Sequence, residues 1–272
     1  MRKLILHLIQ PFFGKSKYQR YFEALHRISL TGMHYGGGSD PESSGERAVL
    51  EHVRSSLRRS YAAPYLLFDV GANRGDYSLL LLECFGNEGR INAFEPSRAT
   101  FELLQHTIGC RAKLCNHGFG DCEGTFVLHS DSDGSGLASL YDRNLRYFGI
   151  SLSHSEQVSI ATVDNFCATE RIERIHLLKL DVEGHELKVL EGATEMLRSG
   201  AIDFIQFEFG GCNIDSKTYF RDFYELLVPQ YRIFRVVKDG LRPISAYREI
   251  DEIFTTTNYL AELQISGMKN AK

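Results

Sequence analysis

The chain has no excess of basic residues: 31 lysines and arginines stand against 35 aspartates and glutamates, a net charge of −4 over 272 residues. A protein that tracks a phosphate backbone has the opposite balance, so nothing points to a nucleic-acid partner. There is no CxxC pair and no Cys/His cluster either. The six cysteines, Cys84, Cys110, Cys115, Cys122, Cys167 and Cys212, are scattered. That argues against a zinc site and, in a chain this long, against a disulfide framework. Buried free thiols in a reducing, cytoplasmic setting are expected instead. No stretch approaches the ~20 apolar residues that span a bilayer. The opening apolar run is interrupted by His7 and Gln10, stopped by Pro11, and followed by no small-residue cleavage site. It reads as a short amphipathic helix over 2–10, with Arg2 and Lys3 beside its apolar face, suited at most to a peripheral membrane contact.

What is present is an ordinary globular balance, 43% hydrophobic and 24% charged, enough for one large domain with an extension. Residues 36–46, rich in Gly and Ser, form the clearest loop. The boundary falls inside it: 1–43 reads as an N-terminal helical extension with a glycine-rich loop, and 44–272 as the main domain. Ser43 or Ser44 is placed to cap a helix over Arg47–Arg59 whose stripe is Val49, Leu50, Val53 and Leu57. Strands then alternate with helices. The expected strands are Tyr65–Val70, Arg90–Phe94, Ala112–His117, Ile175–Val182, Ile202–Phe209, Tyr231–Val237 and Glu252–Tyr259. The expected helices are Asp76–Phe85, one capped by Ser97, Val163–Thr169, His185–Arg198 and Lys217–Leu227. Between 118 and 160 the rhythm breaks, with Thr125–His129 patterned as an antiparallel strand. This is an α/β pattern: a Rossmann-like, doubly wound, mainly parallel seven-stranded sheet with an antiparallel last strand.

The turn after the first strand, Asp69-Val70-Gly71-Ala72-Asn73-Arg74-Gly75-Asp76, lies where nucleotides bind in open parallel sheets. A dinucleotide fingerprint requires glycine at positions held here by Asn73 and Asp76, and Asp76 would repel a pyrophosphate at the helix start. A P-loop requires a longer gap and a lysine. S-adenosylmethionine carries a positive sulfonium and no phosphate, so Asp69, Gly71, Asn73 and Gly75 suit it. Glu95, at the end of the second strand, can accept both ribose hydroxyl protons. Asp121, past the third strand, is a candidate for the adenine edge.

These features resemble the FkbM family of methyltransferases. The likeness rests on Phe68-Asp69-Val70-Gly71-Ala72-Asn73-Arg74-Gly75, on Phe94-Glu95-Pro96, and most specifically on Leu178-Lys179-Leu180-Asp181-Val182-Glu183-Gly184-His185-Glu186. Gly192-Ala193 and Phe207-Glu208-Phe209 add to it. It covers about residues 44–210 well and extends more loosely to about 260. The resemblance implies a hydroxyl acceptor on a sugar, glycan or similar small molecule.

For the chemistry, Lys179, Asp181 and Glu183 alternate along the expected fourth strand and so share a face. Asp181 is expected to contact both cofactor and substrate. His185, Glu183 and Glu208 are the candidate proton acceptors, His185 by its near-neutral ionisation. Glu186 reads as a helix N-terminal acid. The expected site is metal-free, with a metal on Asp181 and Glu208 as the alternative. His34 and Tyr35, before the glycine-rich loop, are placed for a lid. Ser135, Leu137 and Ser139 are placed for an acceptor flap. A cofactor-binding module without catalysis, and a nicotinamide oxidoreductase, are the rival functions.

Overall fold

The computed structural model describes residues 9–37 and 44–264. The helix expected over 2–10 falls almost wholly outside the described residues, as does Ser43. Helix α1 (Gln19–Gly32) precedes the glycine-rich loop and α2 (Glu46–Ser60) follows it. The alternation then runs β1 (Tyr65–Val70), α3 (Asp76–Phe85), β2 (Gly89–Phe94), α4 (Arg98–Ile108) and β3 (Lys113–Cys115). Strands β4 (Gly118–Phe119), β5 (Gly124–Ser130) and β6 (His154–Ala161) interrupt it. It resumes with α5 (Val163–Glu170), β7 (Ile175–Leu180), α6 (Glu186–Glu191), α7 (Thr194–Arg198) and β8 (Ile202–Phe209). Helices α8 (Cys212–Ser216) and α9 (Phe220–Leu227) lead to β9 (Tyr231–Val237), β10 (Gly240–Ile244) and β11 (Thr257–Leu263).

The main sheet has the order β10-β9-β11-β8-β7-β1-β2-β3. Strands β3, β2, β1, β7 and β8 pair in parallel, and β11 runs antiparallel to both neighbours. The Rossmann-like architecture is therefore present, with an eighth strand in place of the expected seven. Strand β10 carries Arg242 and Pro243 on an exposed edge, where proline is tolerated and the apolar pattern fades. The last strand begins later than expected because Glu252 is taken up elsewhere: its carboxylate accepts the N–H groups of Phe220 and Arg221 at the start of α9.

Two other boundaries differ for similar reasons. Strand β7 stops at Leu180, because the N–H groups of Val182 and Gly184 donate to the Glu186 carboxylate and not to a neighbouring strand. The helix expected over 185–198 breaks at Gly192-Ala193, where Asp164 accepts the N–H groups of Glu195 and Met196 and caps α7. The segment after β3 is more regular than its sequence pattern: β4, β6 and β5 make a second, three-stranded sheet.

Adjacent residues of β1 serve opposite layers, as a strand requires. Leu67 packs with Val49, Leu50, Val53 and Leu57 of α2 and with α3, while Phe68 packs with the α5–α7 side. The N-cap of α2 is Gly45, not a serine side chain; Ser44 Oγ accepts the N–H of Glu46 at 3.3 Å. The layers bring the C-terminal ends of β1, β2, β7 and β8 together, and Gly71 sets how close they come. Its φ is +81°, and a Cβ there would lie 1.9 Å from the carbonyl oxygen of Asp181. Gly71→Ala, which would gain up to ~1 kcal/mol at a compatible site, should here destabilise by well over that amount. Urea unfolding checks this; an unchanged midpoint would mean that β1 and β7 can part freely.

Candidate active site

A cavity of about 1040 Å³ opens at those strand ends, lined by Gly71, Asn73, Glu95, Asp181, Glu183 and Glu208 among others. Its first wall is the turn after β1. The N–H groups of Gly71 and Ala72 donate to the carbonyl of Phe94 at 3.0 and 2.9 Å, tying the turn to β2. Asn73 adopts φ +47° and donates its N–H to Glu95 Oε2 at 3.0 Å. The other Glu95 oxygen accepts the N–H of Ser97 at 2.9 Å. Burial pushes the Glu95 carboxyl up to about 7, against these two backbone donors.

Three expected cofactor residues do not reach the cavity. Asp69 is buried behind it, where its carboxylate accepts Ser78 Oγ at 2.5 Å and joins β1 to α3; burial pushes its carboxyl up to about 6. Gly75 faces the other way, and a Cβ there would press on Leu104 and Ile108 of α4. Asp121 is drawn to Lys188 of α6 at 2.9 Å, which lowers its pKa and holds it outside the lining.

The opposite wall is acidic. Lys179, 1% exposed, donates to Asp181 at 2.9 Å, lies 3.8 Å from Glu46 and sits 5.0 Å from the Tyr77 ring. Burial alone would lower the pKa of its ammonium, but Asp181, Glu46 and Asp69 together raise it. Glu183 joins Asp181 through the turn after β7, at φ +50°, and not by strand alternation as expected. Glu208 arrives from β8. Carboxylate oxygens of Asp181, Glu183 and Glu208 lie within 4.8 Å of one another, a spacing that could hold a metal ion. Two of the three already face cations: Asp181 has Lys179, and Glu183 has Arg143, a side chain of the insert that also lies 3.6 Å from Asp215. Among the described residues no hydrogen bond or ion pair holds the carboxyl of Glu208. Burial, then the Asp181 and Glu183 charges, raise its pKa well above the usual range, and burial takes Glu183 up to about 7.

His185 lines the cavity but is 7% exposed, with Nδ1 3.0 Å from Tyr141 Oη and Nε2 buried without a hydrogen-bond partner. Burial lowers its pKa to about 4, so the expected ionisation near neutrality is corrected. Glu186 turns inward as the cap of residues 182–184, with its carboxyl pushed up to about 7 by burial.

The insert supplies an apolar wall that includes Leu128, Leu137, Leu140 and Ile160. It is latched to both walls, since Asn73 Nδ2 donates to the Ser135 carbonyl at 2.8 Å and Ser139 Oγ to that of Glu183 at 2.8 Å. At the mouth, the Gly36 N–H donates to the Thr256 carbonyl at 2.8 Å, and the Arg235 guanidinium covers the Tyr35 ring at 4.4 Å. Sequence reasoning missed Arg143, Tyr141, Lys179's second partner Glu46, and Arg235. Arg143 and Tyr141 lie in a stretch without period, and no local pattern marks them.

Comparison with known proteins follows the same segment. A family model, the methyltransferase FkbM domain, matches residues 69–236. The chain is 26% identical over 143 residues to Methyltransferase 1 of Beauveria bassiana, an alignment covering 46% of this chain and 57% of that protein. It is 28% identical over 148 residues to the hexuronic acid methyltransferase AglP of Haloferax volcanii, covering 53% and 55%. The chain thus spans about half the length of the curated relatives it matches. Among solved structures it aligns with an O-methyltransferase from Bacillus cereus at 11% identity and TM-score 0.41, over 94% of this chain and 95% of that one. It also aligns with a SAM-dependent methyltransferase from Agrobacterium tumefaciens at 9% and 0.42, over 83% and 63%.

Two measurements test the electrostatics. Lys179→Met leaves the buried Glu46 and Asp69, and Asp181 at the cavity edge, without their cation, so the variant should lose about 3–5 kcal/mol in chemical denaturation. A carboxyl whose folded pKa is raised stabilises below its unfolded pKa, and that contribution is lost as pH climbs through the folded value. Buried histidines such as His185 act oppositely, but only up to about 6.5. Above that, Glu95, Glu183 and Glu186 at about 7 dominate. The melting temperature should therefore be lower at about pH 8 than at about pH 6.5; a rise over that interval contradicts the buried-carboxyl picture.

Proposed function

The chain belongs to the FkbM methyltransferases, whose methyl donor is S-adenosylmethionine, and on that premise we propose that it methylates a hydroxyl oxygen of a sugar or glycan. The single observation that carries this reading is the convergence of three carboxyl groups beside the cofactor turn, only one of them without a cation. The cavity suits the donor. Glu95 would take the ribose hydroxyls in exchange for part of its backbone bonding. Gly71 and Ala72 permit close approach of the main chain. Pro96, Phe119 and Ile160 offer an apolar slot for a flat base. Asp181 puts negative charge where the sulfonium would lie. Once bound, the donor supplies a methyl group on a good leaving group, and what remains for the protein is alignment and disposal of a proton.

In this reading Glu208 accepts the hydroxyl proton as the new oxygen–carbon bond forms and the carbon–sulfur bond breaks. Asp181, oriented by Lys179, positions the acceptor oxygen. Glu183, oriented by Arg143, accepts a second hydroxyl hydrogen bond. Acceptor-only carboxylates at the end of a pocket suit a polyhydroxylated ligand and disfavour a phosphodiester. Sugar methylation is also in keeping with the hexuronic acid methyltransferase activity for which the Haloferax relative is named. His185, neutral and buried against Tyr141, shapes the cavity and does not take the proton.

A screen of mono- and oligosaccharides with radiolabelled methyl donor tests the proposal. An ether product holds its label in mild base. Label released there would mean ester formation on a carboxylate and overturn it. Glu208→Gln should slow turnover by about 10²–10⁴-fold with unchanged adenosylhomocysteine affinity. Asp181→Asn, which misplaces the acceptor, should cost ~100-fold. Wild-type rates should rise with pH as Glu208, its pKa raised by burial, ionises, and a chelator should leave them unchanged. Activity abolished by the chelator and restored by Mg²⁺ would give the three carboxylates to a metal.

A further inference from the structure

The strongest feature outside the cavity is the segment that leads to its mouth. Of the fourteen large hydrophobic side chains that stand exposed among the described residues, six fall between Phe12 and Met33. Helix α1 buries no residue along its 14 positions. Tyr21, Leu25 and Ile28, spaced by four and three, share one face and are 53%, 58% and 66% exposed. A polar chain would not leave such a stripe in water without a use for it.

The charge around the stripe says what covers it. Residues 9–37 carry Lys15, Lys17, Arg20 and Arg27 against the lone carboxylate of Glu23, in a chain whose net charge is −4. Arg20 and Arg27, two helical turns apart, flank the stripe on one side. The Arg20 guanidinium lies 4.7 Å from the Tyr21 ring, and Lys17 lies 4.8 Å from that of Tyr18. Cations with long apolar stems beside aromatic rings match the boundary between headgroups and acyl chains. A second copy of the chain fits badly, because a two-fold contact through this face would set the same cations against one another. Among the described residues no helix is long and apolar enough to cross a membrane, so the contact would lie along the surface.

We propose that α1 and residues 9–18 lie on an anionic lipid surface, with Tyr21, Leu25 and Ile28 among the acyl chains and Arg20 and Arg27 at the headgroups. The consequence for the fold is positional. Helix α1 ends at Gly32, and the Met33 carbonyl is held by Arg235. Gly36 then lines the cavity mouth. A surface-bound α1 therefore holds that mouth close to the bilayer, where an acceptor tethered to lipid would be presented.

The test is flotation of the full chain with vesicles of phosphatidylcholine alone or mixed with phosphatidylglycerol. Wild type should float with the mixed vesicles, less so as salt is raised, and not with the neutral ones. Leu25→Ser with Ile28→Ser, and separately Arg20→Gln with Arg27→Gln, should each cut partitioning by about tenfold or more. All four side chains are exposed, so melting temperatures should stay at the wild-type value, and a folded variant that still floats fully overturns the proposal. Absence of flotation with the mixed vesicles does the same. So does a wild-type dimer in gel filtration that the Leu25→Ser, Ile28→Ser variant disperses, since the face then belongs to a second copy.

Discussion

A single buried cation, the Lys179 ammonium, holds the candidate active site together. It lies on β7 in the middle of the sheet, 1% exposed, and is tolerable there only because Asp181 and Glu46 surround it with opposite charge. The arrangement runs both ways. Without the lysine, Glu46 would be a buried carboxylate with no cation and Asp181 would lose its partner at the cavity edge; without them, the ammonium would lose most of the reason to be charged. Glu46 in turn begins α2, accepts from Gln206 at 3.3 Å, and so ties the first helix of the core to β8. Gln206 accepts Tyr77 Oη at 2.8 Å and brings α3 into the same network. One charge thus fixes the relation of α2, α3, β7 and β8 at the site.

The second organising contact is the latch between the cofactor turn and the insert. Asn73 spans it, donating its main-chain N–H to Glu95 and its side-chain amide to Ser135. The turn after β1 is held at φ +47° by bonds from Asn73 to two separate elements. The insert also delivers Arg143 to Glu183 and Tyr141 to His185. Within the Asp181–Glu186 run it therefore sets the surroundings of Glu183 and His185. Glu183 acquires a cation, Glu186 is absorbed as a cap, and Glu208, contributed by the next strand, has no hydrogen bond or ion pair at its carboxyl among the described residues. Separate environments for nearby carboxyls are how a site assigns them separate tasks.

Much of the fold was legible in order along the chain. Strands buried on both faces appear as short apolar runs, such as Tyr65–Val70 and Ile202–Phe209, and both match the observed strands residue for residue. Helix Asp76–Phe85 and the Ser97 cap were equally readable. Errors gathered where a polar side chain captured backbone groups at long range. Glu186 ends β7, Asp164 splits α6 from α7, and Glu252 delays β11. None of these captures leaves a periodic trace. Strand β10 escaped notice because an exposed edge does not need an apolar face.

By itself the sequence determined the order of strands and helices, the glycine turn at the end of β1, and the gathering of acids at the ends of β1, β2, β7 and β8. Local period and turn chemistry suffice for those, since each depends on neighbours a few residues away. Tertiary structure alone decided the surroundings of each acid. Asp69 and Asp121 look as functional on paper as Glu95, yet one is consumed by Ser78 and the other by Lys188. His185 reads as a titrating base until Tyr141 and Gly120 close over it. The physical reason is that a carboxyl or imidazole owes its ionisation to the charges and solvent within a few ångströms. In this chain several of those neighbours arrive from distant segments, as Arg143 does for Glu183, Tyr141 for His185 and Lys188 for Asp121.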